Sequence, residues 1–391
     1  MKVIATERIP IKMWLPELEE GALNQAKNLA NLPFAFKHVA IMPDSHVGYG
    51  MPIGGVLATI DNIIPNAVGV DIGCGMRAAK IPVQELENQQ IMDIMGKIRK
   101  RIPVGFNKHE EPQNEHMIGM FEELAGMPIV AQNFEKCKYQ IGTLGGGNHF
   151  IEIQMGDDGH IWIMIHSGSR NLGYQVARYY NDLAKELNAK WYSEIPAEHE
   201  LAFLPVKSSE GLAYLREMDF CVRYAQNNRR VMLGRCIQSF VDVVGVNEME
   251  KGKTHVIDVS HNYVAIEHHF QRNVWIHRKG ATAAYSGDYG IIPGSQGTSS
   301  FIVKGKGNAM SFKSCSHGAG RAMGRKEAKR VLDWEAEKAL LDEKGVIHAI
   351  QSVNEVDEAP SAYKDIDVVM SNQADLVDIV VKLQPRGVVK G

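Results

Sequence analysis

The chain has 391 residues, 45% of them hydrophobic and 23% charged, which excludes global disorder and provides for a sizeable core. Its net charge of −3 excludes a generally basic coat for nucleic acid, although a local basic groove needs only a patch. Five widely spaced cysteines (Cys74, Cys137, Cys221, Cys236 and Cys315) form no Cys-x-x-Cys pair, so neither a zinc ribbon nor a disulfide framework is expected.

The predicted elements begin with a helix over 17–31, where Leu18, Ala22, Leu23, Ala26 and Leu29 recur at helical spacing. Short β-type runs follow at 38–42, 53–60 and 66–71, each ending in Gly, Pro or Asp. A helix over 84–101 ends in the basic cluster Lys97-Ile98-Arg99-Lys100-Arg101, read as a solvated helix end. The stretch 102–135 is mixed and polar and receives no assignment. Paired strands at 150–155 and 160–166 flank the turn Gly156-Asp157-Asp158-Gly159, and helices cover 172–189 and 209–243. Strand-like runs return at 254–259, 273–278 and 300–304, a helix runs from near Gly320 to Leu332, and Ala374–Leu383 reads as a late strand. No apolar N-terminal run of signal type and no uncharged stretch near the ~18–20 residues of a membrane span is present, so a soluble protein of the reducing cytoplasm is expected.

The residues with chemistry are spread from 71 to 317, which favours a single domain over 1–391. The alternation of element types favours a mixed α/β (α+β) architecture. No Gly-x-Gly-x-x-Gly opens a βαβ unit near the start, so it is not Rossmann. A Walker A loop and a Gly-x-Ser-x-Gly elbow are also absent.

In the turn Asp71-Ile72-Gly73-Cys74-Gly75, Val68, Val70 and Ile72 alternate into an expected strand end, and the glycines let Asp71 and Cys74 face one cleft. A thiolate can bridge two metal ions. A buried cysteine in a glycine turn is equally an ordinary core residue. His149, His166 and His261 each sit at the edge of an apolar strand beside Gly or Ser. One such histidine is unremarkable. Three, together with Asp71 and Cys74, suffice for one or two transition metals with open positions, and paired metals suit phosphoryl transfer.

His317 lies in Ser316-His317-Gly318-Ala319-Gly320-Arg321, just before the predicted helix, where free backbone N–H groups would favour an anion. Its imidazole can act as a nucleophile on phosphorus. Arg321 and Arg325, four apart on that helix, would share a face and hold phosphates, or be plain surface arginines. Asp44 and His46 share a turn and could support the site from behind.

Taken in order, Val68-Gly69-Val70-Asp71-Ile72-Gly73-Cys74-Gly75, Gly147-Asn148-His149-Phe150-Ile151-Glu152, His166-Ser167-Gly168-Ser169-Arg170, His261-Asn262, Arg278-Lys279-Gly280-Ala281, Ile292-Pro293-Gly294-Ser295, Ser316-His317-Gly318-Ala319-Gly320-Arg321 and Tyr363-Lys364-Asp365 make the chain resemble the RtcB-type RNA-splicing ligases over essentially its full length. The resemblance implies a mixed fold with β-sheets around a central metal cleft and helices packed outside. It implies a ligase dependent on GTP and Mn2+ (two ions), acting on RNA with a 2′,3′-cyclic phosphate or 3′-phosphate end and a 5′-hydroxyl end. In that pattern Cys74 bridges the ions, one completed by His149 and His166, the other by Asp71 and His261. His317 takes up guanylate. Asn148, Glu152, Ser295, Ser300, Tyr363 and Lys390 form the guanylate pocket, with Arg170, Arg321 and Arg325 on RNA phosphates. An archease-type activator is an implied partner. Gln296, Ser45 and Asn171 depart from the pattern, which expects Met, an aliphatic residue and Gly at those places.

Two other readings compete with the ligase, and His317, Glu152, Lys390 and the metal-type constellation in the sequence argue against both. A metal-dependent phosphoesterase would need Asp71, Cys74 and the three histidines but not His317 or the guanine pocket. A non-catalytic RNA-binding protein would need a basic surface and no intact metal constellation.

Overall fold

The computed structural model describes residues 1–119, 124–249, 254–348, 350 and 352–391. Two mainly antiparallel sheets form its frame. The first has six strands in the order Lys2–Ile4, Ile11–Met13, Ala35–His46, Ile53–Thr59, Arg272–Lys279, Asn262–His269, with one parallel pair, Ile11–Met13 against Ala35–His46. The second has seven, in the order His255–Ser260, Gly75–Lys80, Ile161–Ser167, Phe150–Gly156, Val377–Lys390, Ser300–Gly305, Tyr289–Ile292, and every pair is antiparallel. A doubly wound dinucleotide fold needs a parallel sheet with helical crossovers, so the antiparallel pairing confirms the mixed, non-Rossmann class.

Register explains why the candidate residues meet. Gly75 pairs with both Ser260 and Ser167, and Phe150 pairs with both His166 and Lys390. One end of the seven-stranded sheet therefore carries Cys74, His149, His166, His261 and Lys390, although they are far apart in sequence. The two-stranded sheet Ala281–Ala283 with Ser314–Ser316 brings His317 to the same end, and the six-stranded sheet contributes Asp44 from Ala35–His46.

The 36-residue helix Ser209–Val244 backs this frame. Tyr224, Met232, Leu233 and Phe240 are buried along it, and full burial of a side chain such as Leu or Phe contributes roughly 1.5–3 kcal/mol. Its polar pair Asn228-Arg229 is also fully buried. Asn228 Nδ2 donates to the carbonyls of Thr143 and Gly168, and Arg229 Nη1 donates to those of Gly73 and Ser167, each at 3.0 Å for the arginine. Arg229 also forms a two-pronged ion pair with Asp258. The helix thus fixes the turns that present Cys74 and His166.

Most expected elements are present, with Glu20–Ala30, Asn88–Arg101, Arg170–Lys190 and Ser209–Val244 helical and Phe150–Gly156 hairpinned to Ile161–Ser167. Two expectations are corrected. Residues 66–71 are not a strand: Pro65–Ala67 is a 3-10 turn opened by proline, Gly69 has φ +95°, and Val70 is exposed. The helix expected from Gly320 begins only at Arg325, because Gly320 sits at φ +73° and Arg321 bridges to Tyr363. Within the unassigned stretch 102–135, the helix Pro128–Gln140 begins at Pro128, and residues 120–123 lie outside the described residues.

Candidate active site

The centre of the site is a thiol among imidazoles. Cys74 Sγ lies 3.2 Å from His166 Nε2 and 3.4 Å from His149 Nε2. Nδ1 of His149 faces the Leu144 carbonyl and Nδ1 of His166 faces the Asn148 carbonyl, both at 3.1 Å. A carbonyl only accepts, so His166 Nδ1 carries the proton and its Nε2 lone pair points at the sulfur, whereas His149 Nδ1 lies between the Leu144 carbonyl and Arg170 Nη1 and its Nε2 between the sulfur and Asp71. Asp71 Oδ2 lies 3.1 Å from His149 Nε2. The His261 ring stacks edge-on between His166 and His317, with centroids 5.2 and 4.8 Å away. Its Nδ1 is buried without a partner among the described residues.

This donor set fits a cation. Burial, reinforced by neighbouring imidazoles, holds His166 and His261 well below the usual histidine range, so both are neutral. Burial and the charge of Asp71 push the Cys74 thiol well above its usual range, a state that a bound metal reverses by stabilising thiolate. Burial opposes ionisation of Asp71, but the His149 hydrogen bond and charge outweigh it and hold the carboxyl at about 2. The neutral His166 imidazole with its lone pair toward the sulfur, the neutral His261 ring with its orphaned Nδ1, a thiol and an ionised carboxylate together match a transition-metal site. Ligand atoms of Cys74, His149 and His166 all lie within 4.8 Å of one another. Gly168 is needed beside them, since a Cβ there would stand 2.3 Å from Asp71 Oδ1.

Next to this cluster, one oxygen of buried Asp44 accepts three hydrogen bonds: from His317 Nδ1 at 2.6 Å, His317 N at 3.0 Å and Gly318 N at 3.3 Å. The ring is thereby held with Nδ1 protonated and Nε2 free. Burial penalises the Asp44 carboxylate, yet the His317 charge and hydrogen bond keep it below its usual value. Gly320 packs on the same segment so closely that a Cβ would stand 2.0 Å from the Asp44 carbonyl oxygen.

A cavity opens from His317 toward the far strands, lined by Asn148, Glu152, Ser295, Tyr363 and Lys390. Matching over residues 25–391, the tRNA-splicing ligase RtcB family model covers both this cavity and the cluster. The chain belongs to the RtcB family. It is 37% identical to RNA-splicing ligases RtcB1 and RtcB of two Escherichia coli strains over 409 aligned positions, covering 100% of this chain and 99% of each relative. It is 30% identical to the tRNA-splicing ligase RtcB of Nanoarchaeum equitans over 462 positions, covering 100% and 95%.

In this chain several side chains stand differently from what the residues alone predicted. His317 follows a strand and is not at a helix N-terminus, and the backbone N–H groups of His317 and Gly318 are taken by Asp44 rather than offered to an anion. Arg321 is not on the helix with Arg325, and its guanidinium is occupied: Nε donates to Met323 O, Nη2 to Asp357 O, and Nη1 to Glu358 at 3.1 Å. Arg325 opens the helix Arg325–Val331, half exposed, 3.0 Å from Glu358. Arg170 lies with Nη1 3.1 Å from His149 Nδ1, packed over Gly145. Ser300 is fully buried behind the cavity, accepting from Gly294 N and Gln154 Nε2, both at 3.1 Å. Ser45 is buried and donates to Ile53 O at 2.7 Å, whereas Asn171 is exposed.

The residue most clearly missed by sequence reasoning is Glu358. It is only 6% exposed and takes Lys390 at 3.0 Å, Arg321, Arg325 and the Tyr363 hydroxyl. Burial works against its charge, but Lys390 and Arg325 prevail and hold its carboxyl at about 2. The only signal was its place in Glu355-Val356-Asp357-Glu358-Ala359-Pro360, an acidic run that reads as surface. Glu152, by contrast, is pushed up to about 7 by burial, with Lys390 and a 2.6 Å hydrogen bond from Gln154 only partly opposing it.

Proposed function

We propose that this chain is a GTP-dependent RNA ligase that joins a 3′-phosphate or 2′,3′-cyclic phosphate end to a 5′-hydroxyl end, in tRNA splicing or RNA repair. Family membership supports RNA ligation, and the relatives are named as RNA-splicing and tRNA-splicing ligases. The observation that carries the chemistry is the position of His317. Asp44 holds its Nδ1, and its ring stands between the thiol–imidazole cluster and the cavity of Glu152 and Lys390.

Asp71, Cys74, His149, His166 and His261 would hold manganese, two ions by the family pattern. Bound there, the metal supplies Lewis-acid stabilisation of charge on phosphate oxygens. His317 Nε2 attacks the α-phosphorus of GTP; a P–N bond forms, the bond to pyrophosphate breaks, and pyrophosphate leaves with the electron pair. Asp44 stabilises the cationic ring through Nδ1–H. The RNA 3′-phosphate oxygen then displaces His317 from the guanylate. The 5′-hydroxyl loses its proton as it attacks the activated 3′-phosphorus, and GMP departs. A cyclic phosphate is opened by water beforehand.

In the cavity, Glu152 accepts guanine N–H groups, Lys390 meets the guanine carbonyl and Tyr363 flanks the base, a pattern opposite to adenine's. Asn148, Ser295 and Ser300 complete the pocket, Ser300 by fixing the Gly294 backbone. Arg170, Arg321 and Arg325 supply positive charge for RNA phosphates. We assign the reaction to one catalytic domain over 1–391 acting in the cytoplasm, with an archease-type protein as activator. Among the described residues no helix is long and apolar enough to cross a membrane.

Intact-protein mass after incubation with manganese and GTP, under non-acidic conditions, tests this reading. A guanylate adduct is expected on wild type and none on His317→Ala, which should retain manganese. Full ligation by His317→Ala overturns the nucleophile, and a metal-loaded wild type that forms no adduct moves the function to a phosphoesterase.

A further inference from the structure

One imidazole in the cavity wall has no part in the reaction as described above. His46 is not behind the site: it lines the same cavity as His317, Glu152 and Lys390. Its Nδ1 lies 3.1 Å from the Asp44 carbonyl oxygen. A carbonyl only accepts, so Nδ1 carries the proton and Nε2 the lone pair. Nε2 has no partner among the described residues and, unlike the His261 Nδ1, is not sealed from solvent. Asp44 thus sets two rings alike. Its carboxylate engages His317 Nδ1 and its carbonyl engages His46 Nδ1, which leaves both Nε2 atoms free.

The strand end that carries His46 is pinned on every side. Ser45 donates to Ile53 O at 2.7 Å, Lys364 Nζ donates to Ser45 O, and Glu19 accepts from Val47 N. A proton acceptor needs such a fixed position. It must also be unprotonated. Burial holds the imidazole below the usual histidine range; the Asp44 carbonyl opposes this, and the charges of His317 and Lys364 reinforce it. The ring is therefore neutral at neutral pH.

Placement selects the step. His46 ends Ala35–His46 of the six-stranded sheet, whereas Glu152 and Lys390 lie on neighbouring strands of the seven-stranded sheet. In phosphoryl transfer the attacking and leaving oxygens stand in line. With guanylate held on the seven-stranded sheet, GMP leaves toward that sheet and the attacking 5′-hydroxyl enters from the other. His317 Nε2 has just released the guanylate phosphorus, so it stands on the leaving side. We infer that His46 Nε2 is the general base that takes the proton of the RNA 5′-hydroxyl in the joining step. The 5′-oxygen bonds to the 3′-phosphorus, its hydrogen passes to Nε2, and the bond to GMP breaks with the electron pair on GMP. The imidazolium then gives its proton to solvent. The inference rests on the ligase reading of the site.

The test separates the steps, for wild type and His46→Asn. Asparagine offers an N–H where Nδ1–H meets the Asp44 carbonyl and has no counterpart of Nε2. Joining of RNA that already carries a 3′-guanylate should slow by about 10²- to 10⁴-fold, the usual worth of a general base, and guanylation of His317 far less. RNA with a 5′-thiol in place of the 5′-hydroxyl provides the second arm. A thiol ionises near neutral pH without help, so the gap between wild type and variant should largely close. Equal slowing of guanylation and joining overturns the inference, because it marks a ring that merely holds Asp44. A gap as wide with the thiol as with the alcohol also overturns it, as does joining by His46→Asn at the wild-type rate. Wild type that forms no guanylate adduct overturns the ligase reading itself, and this inference with it.

Discussion

Two ends of one cleft solve opposite electrostatic problems. Around Cys74, the His166 and His261 imidazoles are neutral, the thiol is protonated, and the His261 Nδ1 has no partner among the described residues. Around Glu358, one buried carboxylate already has two arginines, a lysine and a tyrosine hydroxyl. The first end is incomplete until a cation arrives. The second is complete beforehand, so a nucleotide taking up Lys390 as proposed would compete with Glu358. Low dielectric makes both arrangements consequential, since an uncompensated buried charge is costly at either end.

The comparison breaks most sharply at Cys74. Cys74→Ala removes the one atom that both His149 and His166 approach, so manganese binding by calorimetry and every chemical step should be lost, by about 10³-fold or more in rate, in line with loss of a metal's charge stabilisation. Undiminished manganese affinity would refute the thiol's role.

Glu358→Gln attacks the other end. It leaves Lys390 and Arg321 without their buried counter-charge, and removing one partner of such a pair costs about 3–5 kcal/mol. The half-exposed Arg325 re-solvates and keeps the loss near the lower figure. Thermal unfolding without ligand should shift down markedly, GMP should recover part of the shift by supplying anionic and carbonyl acceptors, and manganese affinity should be unchanged. A variant as stable as wild type would show that Glu358 is not the node of this wall.

The smallest effect is set by pH. The Glu152 carboxyl, raised by burial to about 7, is ionised above that pH and protonated below it. Its two acceptors are therefore lost as pH falls, and KM for GTP should rise about tenfold per pH unit below 7, the limiting slope for one proton. Glu152→Gln should flatten that limb. Linkage runs the other way for the free protein: with a folded value above the unfolded one, the native state holds the extra proton. This group's contribution to stability therefore declines as pH rises from about 4.5 through 7. A KM that stays level from pH 8 to 6 would dissociate Glu152 from the nucleotide.

Much of the site was legible in the chain itself. Cys74, His149, His166, His261 and His317 stood out only together, since each alone reads as well as an ordinary core or loop residue. The structure brings all five to one end of the frame. Glu358, Asn228 and Arg229 were hidden. An acidic run before a proline reads as surface, and a polar pair inside a long amphipathic helix reads as its solvent face, until packing shows both buried. The expected shared face of Arg321 and Arg325 failed for a local reason, since Gly320 at positive φ sends Arg321 into a bridge with Tyr363 before any helix starts.

By itself the sequence determined most element types, the candidate site residues and the family, because these depend on periodicity and on short strings read along the chain. Tertiary structure alone decided which nitrogen of each histidine faces the cleft, that Asp44 holds both His317 and His46, and that Glu358 gathers four donors. Those are properties of strand register and burial. They set hydrogen-bond partners between residues up to hundreds of positions apart, and no local pattern encodes them.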